Sequence, residues 1–374
     1  MGVCRFSSWL SLLTNLVDLT LGFCKRCRQL PRLSQLHSLK RLCLKYMYDL
    51  EYISEGDINE EEYISFFPSL ESISIELCRN LKGWWRSTST TDHQQHPHHQ
   101  SLPSFHHLSE LYIEDCPNLT SLPPFPYLEE SLILDRVSLK ALQPTIAMTS
   151  SLPSSSSFLS SPFSKLKSMT LKSIKDTEAL PDDWMSTLSS LKQLGIGGGP
   201  KLKSLSLAVP HLTSLESLAI SDCELFDSIS DKGDDGTEWQ NLKCLSSLYY
   251  NSVPNLKSIP SGLQHVTALR SLAIYDCPNF TIFPELASVV YLQISRCPNL
   301  TSIPDGISNL TSLEELYIYD CPNLKSLPDE MLSLKSLQKL TIESCPDLEK
   351  RCEKGIGEDW FKIAHVPVIK FRRW

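Results

Sequence analysis

No stretch of this 374-residue chain is apolar for long enough to cross a bilayer. The opening MGVCRFSSWLSLLTNLVDLTL is broken by Ser, Thr and Asn, and no small-residue cleavage site follows, so it reads as part of a repeat rather than as a secretory signal. Basic residues are in deficit: 35 Lys and Arg stand against 43 Asp and Glu, a net charge of −8. That balance argues against a nucleic-acid partner, which needs clustered cations. No membrane partner is expected either.

The usual marks of chemistry are missing too. The run Gly195-Ile196-Gly197-Gly198-Gly199-Pro200-Lys201 approaches a phosphate loop but lacks G-K-[ST], and its glycines fall at a strand end and turn. Asp231 to Glu238 lacks the ordered ligands of a calcium loop. His93, His96, His98, His99, His106 and His107 crowd one Gln-, Ser- and Pro-rich segment. That segment reads as a solvated loop, because a metal site needs ligands fixed in space. Cys24 and Cys27 form a C-x-x-C with no second pair at zinc spacing. No Ser-His-Asp set or carboxylate pair stands apart from the background. The expectation is a protein without catalytic residues, metal or cofactor.

What is present is a repeat. Aligned on L-x-x-L-x-I-x-x-C-P-x-L-x-x-L-P, the clearest copies begin at Leu108, Leu269, Val289, Leu313 and Leu337. Less regular ones begin at Leu16, Leu39, Leu70, Leu128, Leu166, Leu191, Leu215 and Leu245. In LEELYIYD, Leu316 and Ile318 alternate with Glu315, Tyr317 and Tyr319, and period two predicts a strand with the aliphatic pair inward. One such strand cannot bury its apolar face, but a stack of them forms a continuous core. The fold class expected is therefore an α/β repeat, a leucine-rich-repeat solenoid or horseshoe. A parallel β-ladder would form its concave face, with short helical turns and irregular loops on the convex face.

The expected organisation is an array of about thirteen units over residues 1–350 and a C-terminal cap over 351–374, with insertions near 51–68, 86–107, 143–163 and 230–238. Eight of the 13 cysteines (Cys24, Cys78, Cys116, Cys223, Cys277, Cys297, Cys321, Cys345) recur at one place, where the strand ends. Cys there is a small, readily buried residue with a weak donor. Secreted disulfide frameworks do not space cysteines in this way, so a reduced, cytoplasmic protein with an optional nuclear pool is expected. The Asp residues after L-P in PDDWM, PDGIS and PDEML are placed to cap short helical turns. Asp115, Asp222, Asp276 and Asp320, just before the turn Cys, are placed for a local bond to turn backbone.

Outward strand positions carry function in a solenoid. Here they are rich in Tyr, a residue favoured both at binding hot spots and on exposed strands. The candidate partner-binding residues are Tyr112, Glu114, Tyr249, Asn251, Tyr275, Tyr291, Arg296, Glu315, Tyr317 and Tyr319.

Three stretches carry a family resemblance: WLSLLTNLVDLTLGFCKRCRQLPRLSQLHSLKRLCL (9–44), FFPSLESISIELCRNLKGWWR (66–86) and the ending CPDLEKRCEKGIGEDWFKIAHVPVI (345–369). On these the chain resembles the C-terminal repeat region of plant intracellular nucleotide-binding leucine-rich-repeat resistance proteins of the coiled-coil type. The resemblance implies recognition of a pathogen effector or of a host protein that it modifies. It also implies restraint of the nucleotide-binding domain of a full-length resistance protein. A phosphate loop and a coiled coil are absent from these 374 residues, so a truncated, non-functional fragment is one alternative. A substrate-recognition adaptor of a ubiquitin ligase is the other.

Overall fold

Each repeat places two aliphatic side chains one residue apart, and these pairs build the strands. A computed structural model describes residues 10–372, except 11, 29, 32, 34–35, 54–66, 85–104, 126, 144, 147–162, 176, 181–184, 206–207, 228–235 and 305. The described residues fall into two units, 1–174 and 175–374. Most of the segment 51–68, the histidines 93, 96, 98 and 99, and most of 143–163 and 230–238 lie outside the described residues.

The first unit holds β1 (Asp18–Gly22), β2 (Arg41–Lys45), β3 (Ser72–Glu76), β4 (Glu110–Cys116), β5 (Ser131–Val137) and β6 (Ser168–Lys172). All pair in parallel, each with the next, with Leu42 beside Ile73 and Ile73 beside Leu111. The second holds β7 (Gln193–Gly197), β8 (Ser217–Ser221), β9 (Ser247–Asn251), β10 (Ser271–Tyr275), β11 (Tyr291–Ser295), β12 (Glu315–Tyr319), β13 (Lys339–Glu343) and β14 (Val368–Arg372). The same parallel register runs through it: Leu272 lies beside Leu292, Leu292 beside Leu316 and Leu316 beside Leu340. This is an open leucine-rich-repeat solenoid, as the alternation predicts.

The inward column is dry. Leu111, Ile113, Leu272, Ile274, Leu292, Ile294, Leu316 and Ile318 are each exposed by 2 % or less. Burying one such side chain stabilises the fold by about 1.5–3 kcal/mol. Tyr250 occupies one of these inward places and is fully buried.

The turn after each strand has a feature that the repeat pattern conceals. The residue before the turn Cys is left-handed: φ is 50° at Asp115, 52° at Asp222, 47° at Asp276, 51° at Arg296 and 52° at Asp320. This conformation explains the recurrence of Asp, which tolerates it better than most residues. The amide of that residue donates across to the next strand, as in Asp222 N to Asn251 O (2.9 Å) and Asp276 N to Ser295 O (2.9 Å). The carboxylates do not make the expected local turn bonds. Asp115 accepts from Arg79 Nε (2.7 Å) and Arg136 Nε (3.1 Å), and Asp276 accepts from Ser252 Oγ (3.1 Å). Backbone conformation selects Asp here, and the side chain is left to bond neighbouring rungs.

The Cys column closes the turn. All eight thiols reach the carbonyl two residues back, at 3.1 Å for Cys277 to Tyr275 and 3.2 Å for Cys223 to Ser221. Burial pushes the Cys277 thiol up to about 12, which keeps it protonated as a donor at neutral pH. The Asn of C-P-N adds a bond between rungs. Asn118, Asn279 and Asn323 donate Nδ2 to the carbonyls of Arg79, Pro254 and Pro298 at 2.7–2.8 Å.

Short 3₁₀ turns at Thr237–Asn241, Ser261–His265, Ile307–Asn309 and Asp329–Ser333 cover the side opposite the strands in the second unit. The expected Asp caps are not found. Asp329 lies inside its turn, whose cap residue is Pro328, and pairs instead with Lys362 Nζ at 3.0 Å. Asp182, Asp183 and Asp305 lie outside the described residues.

The ending folds back onto the last repeats. Helices α1 (Pro346–Arg351) and α2 (Trp360–Ile363) lead into β14, which pairs in parallel with β13 and so adds a further rung. Its lock is Asp359, 1 % exposed. This carboxylate accepts from Leu327 N (3.0 Å) and Arg351 Nε (3.0 Å) and pairs with Lys362 (3.1 Å). Burial alone would raise its pKa, but those donors outweigh burial and hold it below the ordinary carboxylate range. A Cβ on Gly357 would stand 2.1 Å from Arg351 O, so the glycine of G-E-D-W is sterically required.

Candidate functional site

The ten candidate residues divide between the two units. Tyr112 and Glu114 lie on β4 in the first; Tyr249, Asn251, Tyr275, Tyr291, Arg296, Glu315, Tyr317 and Tyr319 lie on or just after β9–β12 in the second.

In the first unit, Tyr112 is part of a charged network. Its hydroxyl donates to Glu114 Oε2 at 2.6 Å, which raises the Tyr112 pKa to about 12. Arg136 pairs with Glu114 (3.3 Å), Asp115 (3.1 Å) and Asp135 (3.6 Å), while Lys45 pairs with Glu76 at 2.8 Å on the neighbouring rungs. Burial works to raise the Asp115 pKa, and the bonds from Arg79 and Arg136 outweigh it and lower it. Glu76, Glu114, Asp115 and Asp135 are each matched by a cation of the same face.

In the second unit the strand face is organised around rings. Register fixes the positions: Tyr249 lies beside Ala273, Tyr275 beside Ser295, Tyr291 beside Glu315, Gln293 beside Tyr317 and Ser295 beside Tyr319. Two ring pairs follow, Tyr249–Tyr275 with centroids 5.5 Å apart and Tyr291–Tyr317 at 5.1 Å, both tilted. Such contacts are worth about 0.5–1.5 kcal/mol beyond burial.

Gln293 joins the pairs. Its Oε1 accepts from the Tyr291 hydroxyl (2.8 Å), and its Nε2 donates to the Tyr275 hydroxyl and to Ser295 Oγ (3.1 Å). Ser295 is outward by register yet fully buried beneath these groups. At the far side, the Tyr317 hydroxyl donates to Glu315 Oε2 (2.6 Å) and accepts from Lys339 Nζ, whose ammonium lies 4.8 Å from the ring centroid. Tyr317, then Lys339, lower the Glu315 pKa. Burial raises the pKa values of Tyr249 and Tyr291.

Gln293, Ser295 and Lys339 are the participants that the sequence reading missed. Writing the strands in register would have found them, since Gln293 and Lys339 each share a row with a candidate. Arg296 is the left-handed residue that follows β11; it projects at the strand end, 4.0 Å from Asp320, rather than within the ring array. Asn251 is half-buried on β9, in the row of Tyr275.

Among the described residues, no three His, Cys, Asp or Glu side chains assemble as a cation site, and no helix is long and apolar enough to cross a membrane.

The fold is that of leucine-rich-repeat protein-interaction modules. Two family models match within it: residues 1–47 match R13L1/DRL21 leucine-rich repeats, and residues 136–303 match the leucine-rich repeats of plant disease resistance proteins of the RPS2-like kind. These repeats therefore resemble those of plant resistance proteins. No curated protein matches the chain.

Among solved structures, a leucine-rich-repeat protein of Leptospira interrogans is similar at 17 % identity, covering 100 % of both chains with a TM-score of 0.42. An internalin of Listeria monocytogenes shares 14 % identity over 96 % of this chain and 88 % of its own, with a TM-score of 0.43. The leucine-rich repeat domain of the type III effector XopL shares 17 % over 61 % and 80 %, with a TM-score of 0.38.

Proposed function

We propose that this chain is the recognition part of a plant intracellular immune receptor. It senses a pathogen effector, or a host protein altered by one, through the strand face of β9–β12. In a full-length protein the same repeats restrain a nucleotide-binding switch until the ligand arrives, and the protein works in the cytoplasm, with a nuclear pool. The observation that carries this reading is the tyrosine array. Tyr249, Tyr275, Tyr291 and Tyr317 form two ring pairs whose bridging hydroxyls are already bonded within the face. A ligand therefore meets ordered rings, and little rotamer freedom is lost on binding. The plant-type matches at residues 1–47 and 136–303 support the biological setting. Tyr319, Asn251, Glu315 and Arg296 border the array, and Tyr112 with Glu114 is a separate candidate contact of the first unit.

The test is direct. Tyr275, Tyr291, Tyr317 and Tyr319 are replaced together by Ala, and binding is measured against a panel of effectors and their host targets. Loss of about a hundredfold or more in affinity, with an unchanged far-UV spectrum, is the expected result. Unchanged affinity for a bound effector would remove the site.

A further inference from the structure

The partner's chemistry can be read from what the strand face of the second unit leaves out. Strands β7 to β11 present three outward positions each, and none of these carries a charge: Gln, Gly and Gly; Ser, Ala and Ser; Ser, Tyr and Asn; Ser, Ala and Tyr; Tyr, Gln and Ser. On β12 and β13 the first charges, Glu315 and Lys339, are spent on each other at 3.3 Å. Glu343 ends β13, and further charge lies around the edges. At the starts of the strands, Lys192 pairs with Glu216 at 2.8 Å. At their ends, Asp276 and Arg296 are exposed.

An uncharged centre inside a charged border is the anatomy of a protein–protein contact, whose core is depleted in charge. Around Gln293 the hydrogen-bonding capacity is consumed internally, by its bonds with the Tyr275 and Tyr291 hydroxyls. Among the described residues, the Tyr249 and Tyr319 hydroxyls make no hydrogen bond, and with the outward serines of β8 to β10 they are open to a partner's backbone. A charged side chain laid on Ala273 would lose its water and meet no counter-charge on the strands beside it.

From this we propose, building on the reading of the face as the recognition site, that its ligand is a protein segment whose contacting side chains are uncharged and mainly aliphatic or aromatic, centred over Ala273 between Tyr249 and Gln293.

The purified full chain is panned against a phage-displayed random-peptide library, and the enriched peptides are titrated against Ala273→Glu, Ala273→Gln and the four-tyrosine variant. The melting temperature of each variant verifies folding. The enriched contact positions should be poor in Asp, Glu, Lys and Arg. Ala273→Glu should weaken binding about thirtyfold while Ala273→Gln weakens it only a few fold. Affinity should change less than about threefold between about 50 and 500 mM salt.

Peptides rich in charge that are lost on tyrosine replacement would overturn the partner class and leave the site standing. Peptides indifferent to the tyrosine and Ala273 variants alike would overturn the site itself. No enrichment, or binding of glucan or chitin oligosaccharides in place of peptides, would overturn the proposal.

Discussion

Strands β4 and β5 in the first unit and β10 and β11 in the second carry the same kind of inward pair, Leu111 and Ile113, Leu132 and Leu134, Leu272 and Ile274, Leu292 and Ile294, all almost completely buried. Their outward residues have little in common. Glu110, Tyr112, Glu114 and Asp135 on β4 and β5 form a face on which acids are held by Arg79 and Arg136. Ser271, Ala273, Tyr275, Tyr291 and Gln293 on β10 and β11 form an uncharged, ring-lined one. Two surfaces this different on interiors of the same kind show that the repeat specifies the scaffold and leaves the outer residues free to vary. On the first face Glu114, Asp115 and Asp135 are already paired with arginine. The second has apolar ring area still to bury.

The comparison breaks first if the interiors are not equivalent. Leu111→Ala in the first unit and Leu292→Ala in the second should each destabilise their own unit by about 3 kcal/mol. Hydrogen exchange read by mass spectrometry resolves the two, and a loss below about 1 kcal/mol in either unit would show that its column does not carry the core.

Next in size is the acid response. Asp359 anchors the second unit and Asp115 the first, and both have folded pKa values below the ordinary 3.8. A depressed folded pKa contributes stability above the unfolded value, and that stability is lost as pH falls through the folded one. Both units should therefore weaken as pH falls below about 3.9. Asp359→Asn should cost about 3 kcal/mol at neutral pH, because it leaves Arg351 and Lys362 unbalanced around a buried site. Asp115→Asn should cost about 1–2 kcal/mol, since its arginines can turn to water. Asp276→Asn, at the equivalent left-handed position but exposed, should change stability by less than about 0.5 kcal/mol. Equal losses at the three positions would contradict the distinction between anchored and free carboxylates.

The smallest effect sharpens the picture of the ring array. Tyr317→Phe removes the hydroxyl that donates to Glu315, so the Glu315 carboxyl should titrate at higher pH, while unfolding shifts by no more than about 0.5 kcal/mol. An unmoved Glu315 in an NMR titration would show that the bond does not exist in solution.

The scaffold was readable because period two is a direct record of which side chains face the core, and a Leu or Ile in every second place has few other uses. Cys at the turn was readable for the same reason, as a small donor repeated at one spacing. The left-handed residue before it was not. Asp, Ser, Arg, Phe, Leu, Tyr and Gly all stand there, and nothing in their side-chain chemistry announces a shared backbone angle. The cap proposed at Asp329 is not formed because that side chain has a cation partner, Lys362, more than thirty residues later in the chain. The candidate site was legible as a set of tyrosines. It was not legible as a network, because Gln293 and Lys339 acquire their roles only through register with neighbouring rungs. Nor could the residue pattern place Tyr112 and Glu114 among paired charges, since the cations that hold them come from other strands.

A saturation scan from Ser247 to Glu343, scoring every variant at once for soluble folded yield and for binding of a selected ligand, tests the whole account most directly. Two interleaved patterns of period two should emerge, out of phase. Substitutions at Leu248, Leu272, Leu292 and Leu316 should abolish folded yield, while those at Tyr249, Ala273, Tyr275 and Tyr291 should preserve yield and abolish binding. If binding is lost only where yield is lost, the strand face has no recognition role of its own.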